Sequence, residues 1–223
     1  MDQSKCSAAK EALKFVRKGM SVGLGTGSTA EIFIDLLGKK NRAESLRLTC
    51  IATSVASERQ ARRLGLKLAG FEKIRKLDIA FDGADQVDKS LCLIKGLGGA
   101  LVREKIVDYR AKKFVVLVGE NKLVPRLSGV VPVEAIPLAE DAVARDLLSL
   151  GASRVGIRME GSAPFRTDNG NIILHAVFGS IKDPARLEER INNIAGVVDN
   201  GIFSGKRPVV IVGGEGGLAR AIR

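Results

Sequence analysis

The sequence predicts an α/β fold, in which a doubly wound, mostly parallel sheet domain contains an inserted, smaller α+β domain of the ferredoxin-like type. Over about the first 125 residues, near-continuous apolar strands alternate with amphipathic helices, which is typical of a parallel sheet covered on both faces. From about Val130 the order becomes strand–helix–strand–strand–helix–strand, which is the ferredoxin-like plan. We expect a doubly wound catalytic domain over residues 1–128 and 205–223, and the ferredoxin-like domain over residues 129–204.

The elements of the first domain follow from periodicity and from turn signals. Apolar residues at helical spacing predict helices in "MDQSKCSAAKEALKFVRKG", "AEIFIDLLGKK", "VASERQARRLG" and "GALVREKIVDYRAK". Short apolar runs predict strands in "MSVGLG", "LRLTCIATS", "LKLAGF", "LDIAFD" and "KFVVLVGE". The final "RPVVIVGGEGGLARAIR" is expected to return to this domain as a buried strand, a glycine turn and a short helix.

The elements of the second domain begin with a strand in "VVPVEAI" and a helix in "AEDAVARDLLSLG". Two strands follow, "SRVGIRM" and "NIILHAVF", joined through the turn-rich "TDNGN". The Asp-Pro pair that opens "DPARLEERINNIAG" is a helix start signal, and "VVDNGIF" is expected to be the last strand.

The chain carries a formal net charge of +11, with 36 lysines and arginines against 25 aspartates and glutamates. It has no tryptophan and one tyrosine, so it lacks the aromatic side chains that stack on bases. The charge therefore favours attraction for phosphorylated metabolites over nucleic-acid binding. Since no apolar run approaches about 18 residues, we expect no membrane span. The N-terminal pattern is that of an amphipathic helix rather than a secretory signal.

Three cysteines, Cys6, Cys50 and Cys92, lie far apart in the sequence. Their odd number and spacing predict reduced thiols in a reducing compartment, with no disulfide framework. The single histidine, His175, cannot build a metal site with cysteines at those spacings, so we expect no structural metal.

The loop "GLGTGSTAE", Gly23 to Glu31, lies between a predicted strand and a helix, where open parallel sheets bind ligands. Ser28 replaces the third glycine of a dinucleotide fingerprint, and no lysine precedes the serine and threonine as in a nucleotide P-loop. What remains is backbone N–H groups, the hydroxyls of Thr26, Ser28 and Thr29, and a helix N-terminus, which suit one phosphate group. The alternative is a tight turn with a serine or threonine helix cap.

A second loop, "DGADQVD", follows the predicted strand "LDIAF". Asp82 and Asp85 could belong to an ordinary turn. At the carboxyl end of a strand they could also accept hydrogen bonds from sugar hydroxyls or move protons.

A third loop, "IKGLGGALVREK", places Lys95 before Gly96, Gly98 and Gly99 and leads into a helix. Glycines let the backbone approach a ligand closely, and the lysine ammonium can stabilise negative charge that develops on oxygen.

Glu104 follows in that helix, and on a helical wheel it lies beside Ala100, Leu101 and Val107. A carboxylate in partly apolar surroundings suits a general base that works near neutrality. The alternative is a surface glutamate between its neighbouring arginine and lysine. Together the three loops fit proton transfer next to the carbonyl of a phosphorylated sugar, and they do not fit hydride transfer or nucleotide hydrolysis.

Several motifs, in order along nearly the whole chain, resemble those of ribose-5-phosphate isomerases of the A type: "GLGTGSTA", "TSVAS", "DGAD", "IKGLGGALVREK", "TDNGN" and "DPARLEERINNIAGVVDNGIF". The resemblance implies an aldose–ketose isomerase that interconverts ribose 5-phosphate and ribulose 5-phosphate through a cis-enediolate, in the non-oxidative pentose phosphate pathway. It also implies a cytoplasmic homodimer or homotetramer that needs no metal or cofactor.

The resemblance also implies roles for individual residues. Glu104 would carry the proton between C2 and C1, Asp82 would assist ring opening, and Lys95 with the backbone of Gly96 to Gly98 would stabilise the enediolate. Lys122, and with less support Lys5, would add positive charge near the phosphate. The substrate would be bound by Thr26, Gly27, Ser28, Thr29, Asp82, Gly83, Ala84, Asp85, Lys95, Gly96, Leu97, Gly98 and Lys122.

Two positions depart from the family pattern. The family usually has glutamate where this chain has Gln86, and an acid in the strand after "TDNGN" where this chain has His175. Neither falls on a residue with an implied role in proton transfer, and we interpret His175 as a structural histidine.

Other functions remain as alternatives. Sugar-phosphate-sensing domains of transcriptional regulators share this architecture, but they carry a helix-turn-helix segment for which we expect no spare length here. A sugar-phosphate deaminase or lactonase is a third hypothesis, against which "KGLGGALVREK" argues.

Overall fold

The structure, a computed structural model, describes residues 2–214 and 216–222. It divides into two compact units. The first comprises Met1–Ala84, Arg103–Lys122 and Lys206–Arg223, and the second comprises Asp85–Val102 and Leu123–Gly205. Residues 85–102 and 123–128 thus group with the second unit, whereas the sequence-based boundaries place them in the first domain.

The first unit is built on a seven-stranded sheet with the strand order β16-β15-β7-β4-β1-β2-β3, in which every neighbouring pair is parallel except β15 and β16. Numbered along the chain, its strands are β1 (Ser21–Leu24), β2 (Thr49–Ala52), β3 (Lys67–Leu68), β4 (Leu77–Gly83), β7 (Ala111–Gly119), β15 (Val209–Gly213) and β16 (Ala219–Ile222). Its helices are α1 (Gln3–Ala12), α2 (Ser28–Glu44), α3 (Val55–Arg63) and α4 (Leu101–Arg110). Short 3₁₀ turns follow α1 at Leu13–Phe15 and β7 at Glu120–Lys122.

Apolar side chains on both faces of these strands form the core of the first unit, as the continuous apolar runs predict. Phe33 of α2 and Phe81 of β4 pack with their ring centroids 4.2 Å apart. Helix α4 packs directly on β1, because a Cβ at Gly23 would lie 2.7 Å from Cγ1 of Val107. That close approach fixes the position of α4 against the sheet.

The predicted short helix at the C-terminus is wrong. Ala219–Ile222 forms β16, which pairs antiparallel with β15. A four-residue segment is too short to nucleate a helix, whereas the sheet edge offers hydrogen bonds at once. The turn uses Gly217 at φ 77°, and Arg220 donates to the Glu120 carboxylate at 3.2 and 3.0 Å. Glu215 and Arg223, which belong to the predicted segment, lie outside the described residues.

The second unit contains a four-stranded antiparallel sheet in the order β13-β8-β12-β9. Its elements are β8 (Gly129–Ala135), a 3₁₀ turn (Pro137–Ala139), α5 (Glu140–Ser149), β9 (Arg154–Ile157), β12 (Ile172–Phe178), α6 (Pro184–Asn192) and β13 (Val197–Asn200). The strand order is fourth, first, third and second of a βαββαβ unit, so the predicted ferredoxin-like plan is confirmed.

Two smaller sheets in the second unit were not predicted. A three-stranded sheet joins β5 (Gln86–Val87), β6 (Leu93–Ile94) and β14 (Ile202–Phe203). A hairpin joins β10 (Met159–Glu160) and β11 (Ala163–Pro164). The predicted strand "VVDNGIF" therefore divides between β13 and β14, which belong to different sheets.

The second unit has its own apolar core, made by β8, β12 and the inner faces of α5 and α6. Helix α6 begins as its Asp-Pro signal predicts, since the Asp183 side chain accepts a hydrogen bond from the N–H of Arg186 at 3.1 Å. Over the described part of the chain, no helix has both the length and the apolar composition to cross a bilayer.

Candidate active site

The predicted site residues of the first unit lie where parallel strands end. Strands β1, β2, β4 and β7 are mutually parallel neighbours, so the loops that follow them emerge at the same edge of the sheet. This edge is where open α/β sheets bind ligands.

Asp82, near the end of β4, is fully buried and fixes the first glycine loop. Its Oδ1 accepts hydrogen bonds from the N–H of Thr26 at 3.0 Å and from the N–H of Gly83 at 2.7 Å. A Cβ at Gly25 would lie 2.2 Å from that same oxygen, so only glycine fits there. The structure therefore brings Thr26, Asp82 and Gly83 together.

The start of α2 is open to a ligand. Gly27 is the N-cap at φ 98°, and among the described residues no side chain caps this helix end. The alternative of a serine or threonine cap is therefore wrong, because Ser28 and Thr29 lie inside the first turn. An uncapped first turn leaves its N–H groups for an anion.

The sequence analysis does not predict the cluster of hydroxyl groups that contacts this loop. Oγ1 of Thr26 lies 2.7 Å from Oγ1 of Thr53 and 2.8 Å from Oγ of Ser54. Ser57 Oγ donates to the carbonyl of Gly25 at 2.5 Å. These hydroxyl residues stand in the sequence as "TSVAS" directly after β2, but nothing in that stretch indicates that they contact Thr26.

Glu104 is buried, with 3% of its surface exposed, so the alternative of a surface glutamate is wrong. It lies in the first turn of α4, the helix that packs on β1 through Val107. The buried part of this helix thus holds the Glu104 carboxylate together with the apolar Leu101 and Val107 and the charged Lys105 and Asp108.

Lys122 lies at the end of the 3₁₀ turn after β7. A Cβ at Gly119, the last residue of β7, would lie 3.0 Å from Oδ1 of Asn121 and 3.1 Å from Oγ of Ser4. The segments that carry Lys5 and Lys122 therefore meet at the carboxyl end of β7. Lys5 also pairs with Asp2 at 3.4 Å.

In the second unit, the structure joins Asp85 to the third loop. Oδ2 of Asp85 accepts a hydrogen bond from the N–H of Leu97 at 3.1 Å. Gly96 and Gly99 have φ angles of 87° and 100°, and the N–H of Gly99 donates to the carbonyl of Gly96 at 2.9 Å. The glycines are thus needed to close a tight turn after Lys95.

Lys95 is almost completely buried, with 2% of its surface exposed. Its N–H donates to the carbonyl of Gly201 at 2.9 Å, and its Nζ lies 5.4 Å from the centroid of the Phe203 ring. Because water is excluded from this position, an ammonium held beside an aromatic ring attracts nearby negative charge more strongly than it would in solvent.

Of the two departures noted in the sequence, Gln86 has a local structural explanation. The side-chain amide of Gln86 donates to the carbonyl of Ser128 at 2.8 Å and accepts from the N–H of Ser128 at 3.0 Å. A glutamate could make only the second of these bonds. His175, in β12, has its pKa lowered by burial and by the positive charge of Arg158.

These features define a class of protein. A parallel sheet whose carboxyl-end loops present an open helix N-terminus and buried carboxylates is typical of α/β enzymes that act on small phosphorylated molecules. By itself, the second unit holds a buried lysine and a glycine turn, which are groups that can stabilise negative charge on oxygen.

Comparison with known proteins identifies the family. The model of ribose 5-phosphate isomerase A (phosphoriboisomerase A) matches residues 49–217. Ribose-5-phosphate isomerase A of Pyrococcus horikoshii is 43% identical over an alignment covering 100% of this chain and 99% of that protein. The chain therefore belongs to the ribose 5-phosphate isomerase A family.

Solved structures agree with this assignment. The structure of ribose 5-phosphate isomerase A from Methanocaldococcus jannaschii superposes with a TM-score of 0.93 at 46% identity, covering 98% of this chain and 97% of that chain. A D-ribose-5-phosphate isomerase in complex with phospho-erythronic acid superposes with a TM-score of 0.94 at 41% identity, with the same coverage of both chains.

Proposed function

We propose that the chain isomerises its substrate through a cis-enediolate, with Glu104 as the base that carries the proton. As a member of its family, the chain is an aldose–ketose isomerase that interconverts ribose 5-phosphate and ribulose 5-phosphate, within the pentose phosphate pathway. The observation that carries the proposal is the burial of Glu104 in the first turn of α4, a helix held tightly against the sheet.

The reaction begins with opening of the sugar ring. The proton of the C1 hydroxyl must leave and the ring oxygen must gain a proton as the C1–O bond breaks. We assign this proton transfer to Asp82. Hydrogen bonds from the N–H groups of Thr26 and Gly83 hold its carboxylate in one position.

Glu104 then removes the proton from C2 of the open aldehyde and returns it to C1. Removal leaves a cis-enediolate whose negative charge is shared by the oxygens on C1 and C2. Return of the proton to C1 gives the ketone. A buried carboxylate suits both steps because it is poorly solvated and is held in one orientation.

The enediolate is stabilised by Lys95 and by the backbone of the glycine turn. The N–H of Leu97 already donates to Asp85, and the N–H of Gly99 donates to Gly96. Gly98 is an exposed residue, and we assign its N–H as the backbone donor for the enediolate oxygen, with Lys95 supplying the positive charge.

The phosphate group binds at the open start of α2. The hydroxyls of Ser28 and Thr29 and the N–H groups of that turn donate hydrogen bonds to the phosphate, and Lys122 and Lys5 add positive charge. The relative solved with phospho-erythronic acid supports a ligand of this class, since that acid combines a phosphate with a carboxylate whose charge resembles that of the enediolate.

We also propose that the chain works as a homodimer or homotetramer in the cytoplasm, without a cofactor, and that residues 129–204 form the ferredoxin-like domain. Exposed apolar side chains of the second unit support association, among them Leu138 at 95% exposure. The three cysteines are free thiols, which is consistent with the proposed reducing compartment.

The test is the isomerisation of ribose 5-phosphate by the purified protein in excess EDTA, beside the variants Glu104→Gln and Glu189→Gln. Glu189 is an exposed residue of α6, so its substitution controls for the loss of one carboxylate. We expect the parent and Glu189→Gln to turn over at equal rates, and Glu104→Gln to lose roughly a thousandfold in kcat.

Two results would contradict the proposal in different ways. A folded parent that binds the sugar phosphate without turnover would favour a sensor. A fully active Glu104→Gln would leave the reaction standing and show that another group is the base.

A further inference from the structure

The glycine turn of the second unit is held by a side chain that lies 61 residues further along the chain. Nη1 of Arg158 donates a hydrogen bond to the carbonyl of Leu97 at 2.9 Å. The same guanidinium lies 3.9 Å from the centroid of the Phe165 ring. Arg158 is therefore fixed between an aromatic face and the peptide that joins Leu97 to Gly98.

The backbone of Arg158 is fixed as well. Its N–H donates to the carbonyl of Ile173 at 2.8 Å, and its carbonyl accepts from the N–H of Phe165 at 2.9 Å. These bonds tie Arg158 to strand β12 on one side and to the hairpin of β10 and β11 on the other. The guanidinium is thus presented from a rigid support rather than from a mobile loop.

Arg158 and Phe165 pack directly on the glycine turn. A Cβ at Gly99 would lie 2.6 Å from the Phe165 ring and 2.9 Å from Nη1 of Arg158. The absence of a side chain at Gly99 therefore allows the contact. Since Asp85 accepts from the N–H of Leu97, both polar backbone atoms of Leu97 are held by charged side chains.

This contact has an electronic consequence. The carbonyl of Leu97 and the N–H of Gly98 belong to the same peptide group, so a charged donor on the oxygen withdraws electron density from the nitrogen. Hydrogen bonds that share a group polarise and strengthen each other in this way. The N–H of Gly98 becomes a stronger donor while its direction is fixed.

We propose that Arg158 is a positioning residue for the isomerisation, which holds and polarises the Leu97–Gly98 peptide so that the N–H of Gly98 meets the negative charge of the enediolate. The inference rests on the proposed function of the glycine turn. It adds a residue that contacts the turn from its outer side and acts on the intermediate through the backbone. Stacking on Phe165 sets the orientation of the guanidinium.

The test compares Arg158→Met and Arg158→Lys with Arg154→Met in the full-length protein. Arg154 begins β9, the strand directly before Arg158, and is exposed, so its substitution removes the same charge from a nearby position without touching the turn. We expect kcat of Arg158→Met to fall about ten- to hundredfold while KM for ribose 5-phosphate changes less than about threefold. Arg158→Lys should recover part of kcat because it restores a charged donor, and Arg154→Met should match the parent.

Inhibitor binding separates positioning from general distortion. Phospho-erythronate carries a carboxylate charge, whereas ribitol 5-phosphate carries the phosphate and hydroxyls without a charge or carbonyl at C1. In Arg158→Met, Ki for phospho-erythronate should rise by about the factor that kcat/KM loses, with Ki for ribitol 5-phosphate unchanged. Urea unfolding would establish that each variant is folded.

Three results distinguish the possible failures. An unchanged kcat in folded Arg158→Met, or an equal loss of affinity for both inhibitors, would overturn the role of Arg158. If Lys95→Gln leaves Ki for phospho-erythronate unchanged, the proposed function of the turn itself fails. Full activity in Glu104→Gln would overturn the proposed base. The role of Arg158 would still be decided by kcat and the two Ki values.

Discussion

The two glycine loops that bear the proposed site are held in different ways. The first, Gly23 to Glu31, is fixed by the end of the neighbouring strand β4: the N–H of Gly25 donates to the carbonyl of Phe81, and Asp82 accepts from the N–H of Thr26. The second, Lys95 to Gly99, is fixed at Leu97 by the side chains of Asp85 and Arg158.

This difference shows how each loop can be changed. The first loop is part of the sheet, so displacing it disturbs the strands and the core. The second loop depends on side chains that can be substituted one at a time, so its geometry can be altered while the fold remains. We expect changes at the first loop to act on stability and activity together, and changes around the second to separate them.

The largest effect is expected for Gly25→Ala. Its Cβ would lie 2.2 Å from Oδ1 and 2.6 Å from Cα of Asp82, so the backbone of β4 must move. We expect the free energy of unfolding to fall by about 3 kcal/mol and isomerase activity to be lost. Urea unfolding and the isomerisation assay measure the two effects.

Gly27→Ala is the matched control for that change. Gly27 has a φ angle of 98° but no atom within 4 Å of its ideal Cβ, so alanine brings backbone strain without a clash. Its stability should fall by only about 1 kcal/mol. A loss in Gly25→Ala no larger than that in Gly27→Ala would show that contact with Asp82 does not set the requirement for glycine at position 25.

An intermediate effect is expected for Glu134→Gln, which tests the side-chain anchoring of the second unit. Oε1 of this fully buried carboxylate accepts hydrogen bonds from Thr167 at 3.0 Å, Asn169 at 3.0 Å and Asn171 at 2.8 Å. Loss of the charge should lower the free energy of unfolding by about 2 kcal/mol.

The same variant should lower kcat only slightly, since Thr167 lies two residues after Phe165 and transmits little of the change. Stability from urea unfolding and kcat from the isomerisation assay give the comparison. Glu189→Gln should stay within about 0.5 kcal/mol of the parent. An unchanged stability in Glu134→Gln would show that this buried network is not an anchor.

The smallest effect is expected from pH at His175. Burial, and then the charge of Arg158, lower the pKa of this histidine below its ordinary value of 6.5. The unfolded chain therefore binds a proton more readily than the folded protein, and stability is lost as pH falls below 6.5. In His175→Gln, the urea midpoint should fall less steeply between about pH 7 and pH 5. A steeper fall in the variant would reverse the sign of the shift.

The sequence predicts most of the fold because local patterns and the sheet agree. The Asp-Pro start of α6 and the apolar strands of the parallel sheet are examples. The C-terminal helix was predicted wrongly because local propensity at Ala219–Ile222 is overridden by pairing with β15. The short strands β5, β6 and β14 were missed because two residues carry no periodicity.

The proposed site could be predicted only in part. Asp82 and Glu104 were marked by their positions after strands and on an apolar helix face, and the structure buries both. Arg158 and Phe165 carry no such signal, because their contact with the glycine turn exists only after β9 and the hairpin have folded. The hydrogen bond from Thr26 to Ser54 likewise depends on the pairing of β1 with β2.

The most direct test of the account is the isomerisation of ribose 5-phosphate in D₂O, with deuterium located by NMR in the ribulose 5-phosphate that forms. A carboxylate that carries the proton exchanges it with solvent, so the parent should place deuterium at C1 of the product. Glu104→Gln should place none above the rate without enzyme. Incorporation at the parent's rate in Glu104→Gln would contradict the account, because another group would then be the base.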